Sequence, residues 1–364
     1  MKVYLIAGED SGDLHGSNFI KALQQQAPGT AFRGVGGEKM NSQGMELVAH
    51  IRDINFMGFW EVIKNLGTIR KLFRTVKADI EAWQPDAVVL IDYPGFNLRM
   101  AKFIQNRGIR VFYYISPQLW AWKKGRVRTI RRYVDRMWVI LPFEEAFYAK
   151  EGVSVDFVGH PLLDVIGPGA ARNAALPARP RIALLPGSRK QEIQRMLPPM
   201  LQLIDRFPEA EFIVAGAPSQ PEAFYRQIIG AQPVSVWVNR TYELLQSADA
   251  AVVTSGTATL ETALLGVPEV VVYKGSPISY WIGKRLVQVK FISLVNLILD
   301  RPAVTELIQH EYTPDRIAAE LKRLLQPELR KHILQDYREL REKLGDAGAS
   351  ARAAALLLAQ IGEG

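Results

Sequence analysis

Polar side chains follow directly on apolar, β-forming runs at four places in this sequence, and those are the places where chemistry can be done. Asp92 comes straight after Ala87-Val88-Val89-Leu90-Ile91, so it stands at the carboxyl tip of a strand. Walled by Tyr93 and Phe96, it is placed to act as a general base. The plainer reading is an aspartate that caps the next helix. Gly8-Glu9-Asp10-Ser11-Gly12-Asp13 follows the first run. Its glycines allow a tight turn and close approach to a ligand, and a helix start offers free amides. Three carboxylates argue against a diphosphate there and for a loop that meets sugar hydroxyls; a capped turn is the alternative. Pro186-Gly187-Ser188-Arg189 ends another run. Ser188 and Arg189 at a helix start make a diphosphate site, since a guanidinium grips phosphate oxygens two at a time. Thr254-Ser255-Gly256-Thr257 opens a further helix, with Thr257 the expected N-cap turning amides and hydroxyls toward a phosphate. Glu261, one turn on, can reach back to a ribose diol, although a helical glutamate is usually a surface residue.

Strands and helices must hold these tips in place. Candidate strands cover 3–7, 31–35, 87–91, 110–114, 137–141 and 155–158 in the first half. In the second they cover 181–185, 211–215, 234–238, 250–253 and 269–272. Continuous apolar strands alternating with helical patterns imply parallel sheets covered on both faces. The expected fold class is α/β, two Rossmann-like doubly wound domains facing a cleft. Gly and Pro replace the periodic pattern between 166 and 180, which sets the boundaries at 1–166 and 167–345. Residues 346–364 form a C-terminal helix that crosses back to the first domain or to a partner subunit.

The 364 residues suit two cores, and 48% apolar with 23% charged residues is ordinary globular composition. No apolar run is long enough to span a membrane, and the N-terminal run is too short for a signal peptide. With no cysteine there is neither a disulfide nor a thiolate site, and a cytoplasmic protein is the simplest account. Five histidines without paired spacing and no Asp-x-Asp triplet leave nothing that demands a metal or cofactor. The net charge of +8 points to a polyanionic partner. Nucleic acid is disfavoured, because the basic residues lie beside apolar ones rather than among stacking aromatics. On the segment 125–136, Val127, Ile130, Val134 and Met137 keep helical spacing and leave five arginines as a solvated face. On 56–77, Phe59, Val62, Leu66, Ile69, Phe73 and Val76 form a core stripe. Trp60 and Ile63 project from a flank that continues in Arg70, Lys71 and Arg74, the pattern of a helix lying in a membrane interface. Trp120 and Trp122, beside lysines, fit a carbohydrate or interfacial platform or plain core.

Taken in order, the motifs resemble those of the lipid-A-disaccharide synthases within the GT-B glycosyltransferases. They are Gly8-Glu9-x-Ser11-Gly12-Asp13, Gly34-Val35-Gly36-Gly37-x-x-Met40, Met57-Gly58 and Ile91-Asp92-x-Pro94-x-Phe96-Asn97. Then follow Ser116-Pro117-x-x-Trp120-Ala121-Trp122, Leu141-Pro142-Phe143-Glu144, Gly159-His160 and Leu184-Leu185-Pro186-Gly187-Ser188-Arg189. Ser255-Gly256-Thr257-Ala258-x-Leu260-Glu261 and Ser293-Leu294-x-Asn296-Leu297 complete the set. Asp10 departs from the pattern, which leads one to expect a small or neutral residue.

The resemblance implies an inverting transfer of 2,3-diacylglucosamine from its UDP derivative to the 6-hydroxyl of 2,3-diacylglucosamine 1-phosphate. The products are UDP and a β-1,6-linked disaccharide 1-phosphate. It casts Asp92 as base, Glu9 as a second acid, and Ser11, Gly12, Asp13 and Asn97 as substrate contacts. Arg189 would hold the diphosphate, while Glu261 and Asn296 would bind the nucleoside side. Both substrates are lipids, so a peripheral position at the inner leaflet follows, and two α/β halves with a helical C-terminus suit a homodimer. The rival readings are another GT-B UDP-sugar transferase, a UDP-sugar epimerase, or a non-enzymatic membrane-docking lipid carrier.

Overall fold

The computed structural model describes residues 1–53, 66–120, 124–167, 177–275 and 290–362. The chain divides into two compact units, Met1–Val165 with Asp346–Gly364, and Ile166–Gly345. Among the described residues the first unit carries a seven-stranded parallel sheet of order β3-β2-β1-β4-β5-β6-β7. Its strands are β1 (Lys2–Ile6), β2 (Ala31–Gly36), β3 (Glu46–His50), β4 (Ala87–Ile91), β5 (Arg110–Tyr114), β6 (Arg136–Val139) and β7 (Asp156–Phe157). The second carries a six-stranded parallel sheet of order β10-β9-β8-β11-β12-β13. These are β8 (Arg181–Leu185), β9 (Glu211–Gly216), β10 (Ser235–Val238), β11 (Ala250–Thr254), β12 (Glu269–Tyr273) and β13 (Thr305–Ile308).

Val3 to Ile6 and Ala87 to Ile91 have no exposed surface, as expected of central strands covered on both faces. Each sheet reverses its strand order once, between β1 and β4 and between β8 and β11. Ile6 pairs with Leu90 and Leu185 with Val253, so the loops after each pair leave side by side. At such reversals the crossover helices diverge to opposite faces and leave room for a ligand beyond the strand ends. All the chemistry-bearing loops singled out above, except that of Asn296, spring from these two positions.

Three features depart from the sequence reading. β3 and β13 are edge strands whose partly exposed residues, including Glu46 and Glu306, break the apolar run that identifies a buried strand. The helix expected over 125–136 is confined to Val127–Tyr133. Asp135 ends it by joining the sheet: its carboxylate accepts the Val111 amide at 2.7 Å and its own amide donates to the Val111 carbonyl at 2.9 Å. On the helix Leu66–Trp83 the deeply buried positions are Leu72, Val76 and Ile80, with Phe73 packed at the margin.

Residues 346–364 belong to the first unit. Helix Ala349–Gly362 packs along helix Asp10–Gln26. Asp164 caps its start by accepting the amides of Gly348, Ala349 and Ser350 at 2.6, 3.1 and 3.0 Å. Arg352 closes the junction with a bond to the Val158 carbonyl at 2.8 Å. Among the described residues no helix is long and apolar enough to cross a membrane.

Candidate functional site

In the first unit the site is built around an unusual bend. Asp92 and Tyr93 both adopt positive φ, 44° and 48°, between the end of β4 and helix Pro94–Gln105. For residues other than glycine this costs about 1–3 kcal/mol each and persists only where the surroundings enforce it. Bonds to three residues, Asn97, Tyr113 and Tyr114, do so here. Asn97 Nδ2 donates to the carbonyls of Ile6, Ile91 and Asp92, at 3.3, 3.2 and 2.8 Å. Tyr113 donates its hydroxyl to the Asp92 carbonyl at 2.6 Å, and the Asp92 amide donates to Tyr114 at 3.1 Å. The bend lays the Tyr93 ring on Gly8, where a Cβ would come within 2.2 Å of it. Gly8 is therefore required by Tyr93 as much as by any turn.

This arrangement changes the acidity of Asp92. Burial, then the negative charge of Glu9, push its carboxyl up to about 7, against the pull of a bond from the Tyr93 amide. A carboxyl that titrates near neutrality at a strand tip matches the proton affinity a general base needs. Glu9 is half-buried at the N-cap of helix Asp10–Gln26, and Ser11 beside it is exposed.

Other expected substrate contacts take a different part. Asp13 is buried, and its carboxylate accepts the amides of Gly37, Lys39 and Met40 at 2.7, 3.0 and 3.1 Å. It ties the first loop to the glycine motif after β2. Gly12 is buried, and a Cβ there would lie 3.2 Å from that of Ala7, so it serves helix-to-strand packing. Asn97 has no exposed surface and fixes the backbone of Asp92. All three hold the loops around Asp92 in place.

The Ser116-Pro117 and Leu141-Pro142-Phe143-Glu144 motifs meet beside this bend. Ile115 has φ 68°, strained for a β-branched residue, and Ser116 bonds Tyr148 at 2.7 Å. Glu144 is buried and accepts the amides of Ile140 and Leu141 and the Trp120 indole at 3.2, 3.0 and 3.3 Å. Burial still pushes its carboxyl up to about 7. Trp120 is thereby held as part of this packed cluster, edge-on to Phe143 at 5.0 Å. Trp122 lies outside the described residues, as do Trp60 and Ile63. Arg70, Lys71 and Arg74 are exposed on helix Leu66–Trp83.

His15 and His160 are buried close to one another, and desolvation lowers them to about 4 and about 3. Both are held neutral in the fold, whereas the unfolded chain protonates them below about pH 6.5. The stability they contribute is complete above that value and is lost as the pH falls toward the folded values. As the pH falls from about 6 to 4.5 the free energy of unfolding should drop by up to about 2.7 kcal/mol per pH unit from this pair. Urea titrations at several pH values should show that slope flattening in His15→Gln/His160→Gln; an unaltered slope would assign the acid sensitivity to carboxylates.

In the second unit, Gly187 has φ 101° and Ser188 and Arg189 are exposed ahead of helix Lys190–Leu201. Glu192 folds back across the loop, and its carboxylate accepts the Ser188 amide at 3.1 Å. It occupies the amide as an anion would, and lies where a Cβ on Gly187 would be 2.1 Å away. After β11, Ser255 donates its hydroxyl to Ile292 at 2.9 Å. The N-cap of helix Thr257–Leu264 is Gly256, not Thr257, which is the first helical residue; both are exposed. Glu261 accepts the Tyr242 hydroxyl at 2.8 Å, which fixes one of its oxygens.

Asn296 likewise holds a loop in place. It is buried, its Nδ2 donates to Val304 and Glu306, each at 2.9 Å, and its Oδ1 accepts Val304 N at 2.9 Å. Glu306 further accepts the amides of Ile292 and Ser293 at 2.9 Å, which ties this loop to Ser255. Tyr113, Tyr242 and Glu306 escaped the sequence reading, since each is embedded in an unremarkable strand or helix pattern. Glu192 had a signal, the N3 spacing of a capping box.

The sequence profile of the lipid-A-disaccharide synthetase family matches residues 3–360. The lipid-A-disaccharide synthase of Syntrophus aciditrophicus is 46% identical over 373 residues, covering 99% of this chain and 97% of that protein. That of Geobacter metallireducens is 43% identical over 375 residues, covering 100% and 98%. Among solved structures, the calicheamicin glycosyltransferase aligns with TM-score 0.62 at 16% identity, covering 100% of this chain and 98% of that one. The UDP-GlcNAc 2-epimerase of Neisseria meningitidis bound to UDP-GlcNAc also gives 0.62, at 13% identity and with both chains covered in full. These structures share the fold of two parallel-sheet α/β domains, and the sequence matches place the chain by descent: it belongs to the lipid-A-disaccharide synthetase family.

Proposed function

We propose that this protein transfers 2,3-diacylglucosamine from UDP-2,3-diacylglucosamine to the 6-hydroxyl of 2,3-diacylglucosamine 1-phosphate. The observation that carries the reading is Asp92, half-buried at the strand reversal with its carboxyl raised to about 7 beside Glu9. As a carboxylate it removes the proton of the acceptor hydroxyl. The oxygen forms a bond to the anomeric carbon from the face opposite UDP, and the sugar–phosphate bond breaks with its electron pair passing to UDP. Configuration inverts, with no covalent enzyme intermediate. Arg189 and the loop amides of 187–189 offset the charge on the departing diphosphate. Ser255, Gly256, Thr257 and Glu261 hold the nucleoside side, and Glu9 and Ser11 meet the acceptor. The names of the relatives support the reaction, and the UDP-sugar bound to the like-folded epimerase supports the donor class. Lipid substrates and the exposed basic flank at Lys71 support peripheral attachment to an anionic membrane face.

The test is a transfer assay with both lipids in detergent, read by mass spectrometry of the product. Disaccharide 1-phosphate should form with one UDP per linkage, at a rate that excess EDTA leaves unaltered. Interconversion of UDP-sugar epimers without transfer would favour an epimerase. Lipid binding with no affinity for UDP would favour a carrier. Inactivation by EDTA that magnesium restores would sink the metal-free mechanism.

A further inference from the structure

Four cations of the first unit converge on one groove. Arg70, Arg74 and Lys77 recur at i, i+4 and i+7 along helix Leu66–Trp83, and Arg99 faces them from helix Pro94–Gln105. With Phe73 they line a space of about 590 Å³, a size that suits part of a small ligand. Among the described residues none of the four takes part in an ion pair, and Lys77 rests 4.6 Å over the Phe103 ring. Like charges at i and i+4 destabilise a helix unless an anion meets them.

The groove is joined to the bend described above by a run of stacked rings. Phe73 stacks on Phe96 at 4.1 Å, and Phe96 on Tyr93 at 5.9 Å, with Tyr93 directly after Asp92. A sugar whose hydroxyl meets Asp92 would pass over Tyr93 and Phe73, which stay partly exposed on either side of the buried Phe96, and carry a substituent at its far end toward the cations.

We infer that the groove formed by Arg70, Arg74, Lys77 and Arg99 binds a phosphate monoester, the phosphate of the acceptor sugar. The assignment of that phosphate to the acceptor rests on the transfer reading above. A monoester carries close to two negative charges at neutral pH and three acceptor oxygens. It therefore suits four converging cations better than the single charge of a phosphodiester headgroup, and arginine forks hold it bidentately.

The experiment compares kcat/KM for the acceptor with and without its phosphate, in detergent, for wild type, Arg74→Ala, Arg99→Ala and the corresponding lysine variants. Wild type should prefer the phosphorylated acceptor, and each alanine variant should reduce that preference roughly 10- to 100-fold, mainly through KM. Lysine should restore part of it. A preference that survives both alanine variants would overturn the assignment. So would variants that keep it and instead lose binding to phosphatidylglycerol vesicles, which would give the groove to lipid headgroups. If wild type transfers to neither acceptor, the transfer reading fails on its own. Calorimetry with glucosamine 1-phosphate against glucosamine then still judges the groove: only the former should bind, and Arg99→Ala should weaken it.

Discussion

Asp92→Asn is expected to lower kcat roughly 10²- to 10⁴-fold while UDP affinity and the melting temperature stay close to wild type. Asparagine keeps the shape of the side chain and tolerates positive φ better than most residues, so the strained pair at 92 and 93 survives the change. What disappears is proton affinity. In wild type, kcat/KM should rise with pH through a midpoint near 7, because the carboxyl must lose its proton to act and burial has raised it to about that value. The residual rate of the variant should lack this inflection. The linkage has a second consequence. The raised carboxyl favours the folded state while protonated, and that contribution is lost as the pH rises through about 7. Above this range the variant should be at least as stable as wild type. A kcat within a few-fold of wild type with the inflection retained would move the base to Glu9, which lies near enough to perturb Asp92.

Asp92 was legible because its position follows from a one-dimensional rule: a run of five buried residues must end somewhere, and a polar residue at that end stands where parallel sheets bind ligands. The same rule located Ser188 and Arg189 after β8 and Ser255 after β11. It could not tell which polar residues in those loops keep free valences. Asp13, Asn97 and Asn296 lie in these motifs, yet all three are buried and bonded to backbone groups outside their own loops. Their partners are 24, 91 and 8 residues away, and no local pattern announces such pairings. A buried amide or carboxylate must satisfy its hydrogen bonds, and here the loop backbones are what satisfy it.

The edge strands show the complementary failure. Glu306 sits in β13 because its side chain gathers the amides of Ile292 and Ser293 and the Asn296 side chain, a tertiary reason that outweighs the poor strand propensity of glutamate. Likewise the helix beginning at Val127 ends at Tyr133 because Asp135 bonds β5, although the apolar spacing alone would carry the helix further. Tertiary contact decided both, and periodicity reads only the burial of one face.

Arg189→Ala is expected to weaken UDP binding about 10- to 100-fold, the usual worth of one hydrogen bond to a charged group, and to leave uridine binding as it is in wild type. Arg189 stands at the N-cap of helix Lys190–Leu201 with extended backbone, φ −96° and ψ 139°, so its substitution leaves the helix start intact. The loop before it is already arranged for an anion: Gly187 takes a positive φ, and the Ser188 amide is bonded to the Glu192 carboxylate. That carboxylate and a diphosphate would compete for the same amide, so the loop needs a positive charge from elsewhere to favour the phosphate. Arg189 supplies it, and Arg189→Lys should keep part of the affinity, because the charge remains while the two-pronged geometry is lost. The loss in the alanine variant should shrink as salt rises, since the contact is exposed. Calorimetric titration of UDP and uridine into both proteins separates the possibilities. Equal losses for the two ligands would mean that Arg189 shapes the loop instead of meeting the diphosphate, and the phosphate contact would then pass to the amides and hydroxyls at 255–257.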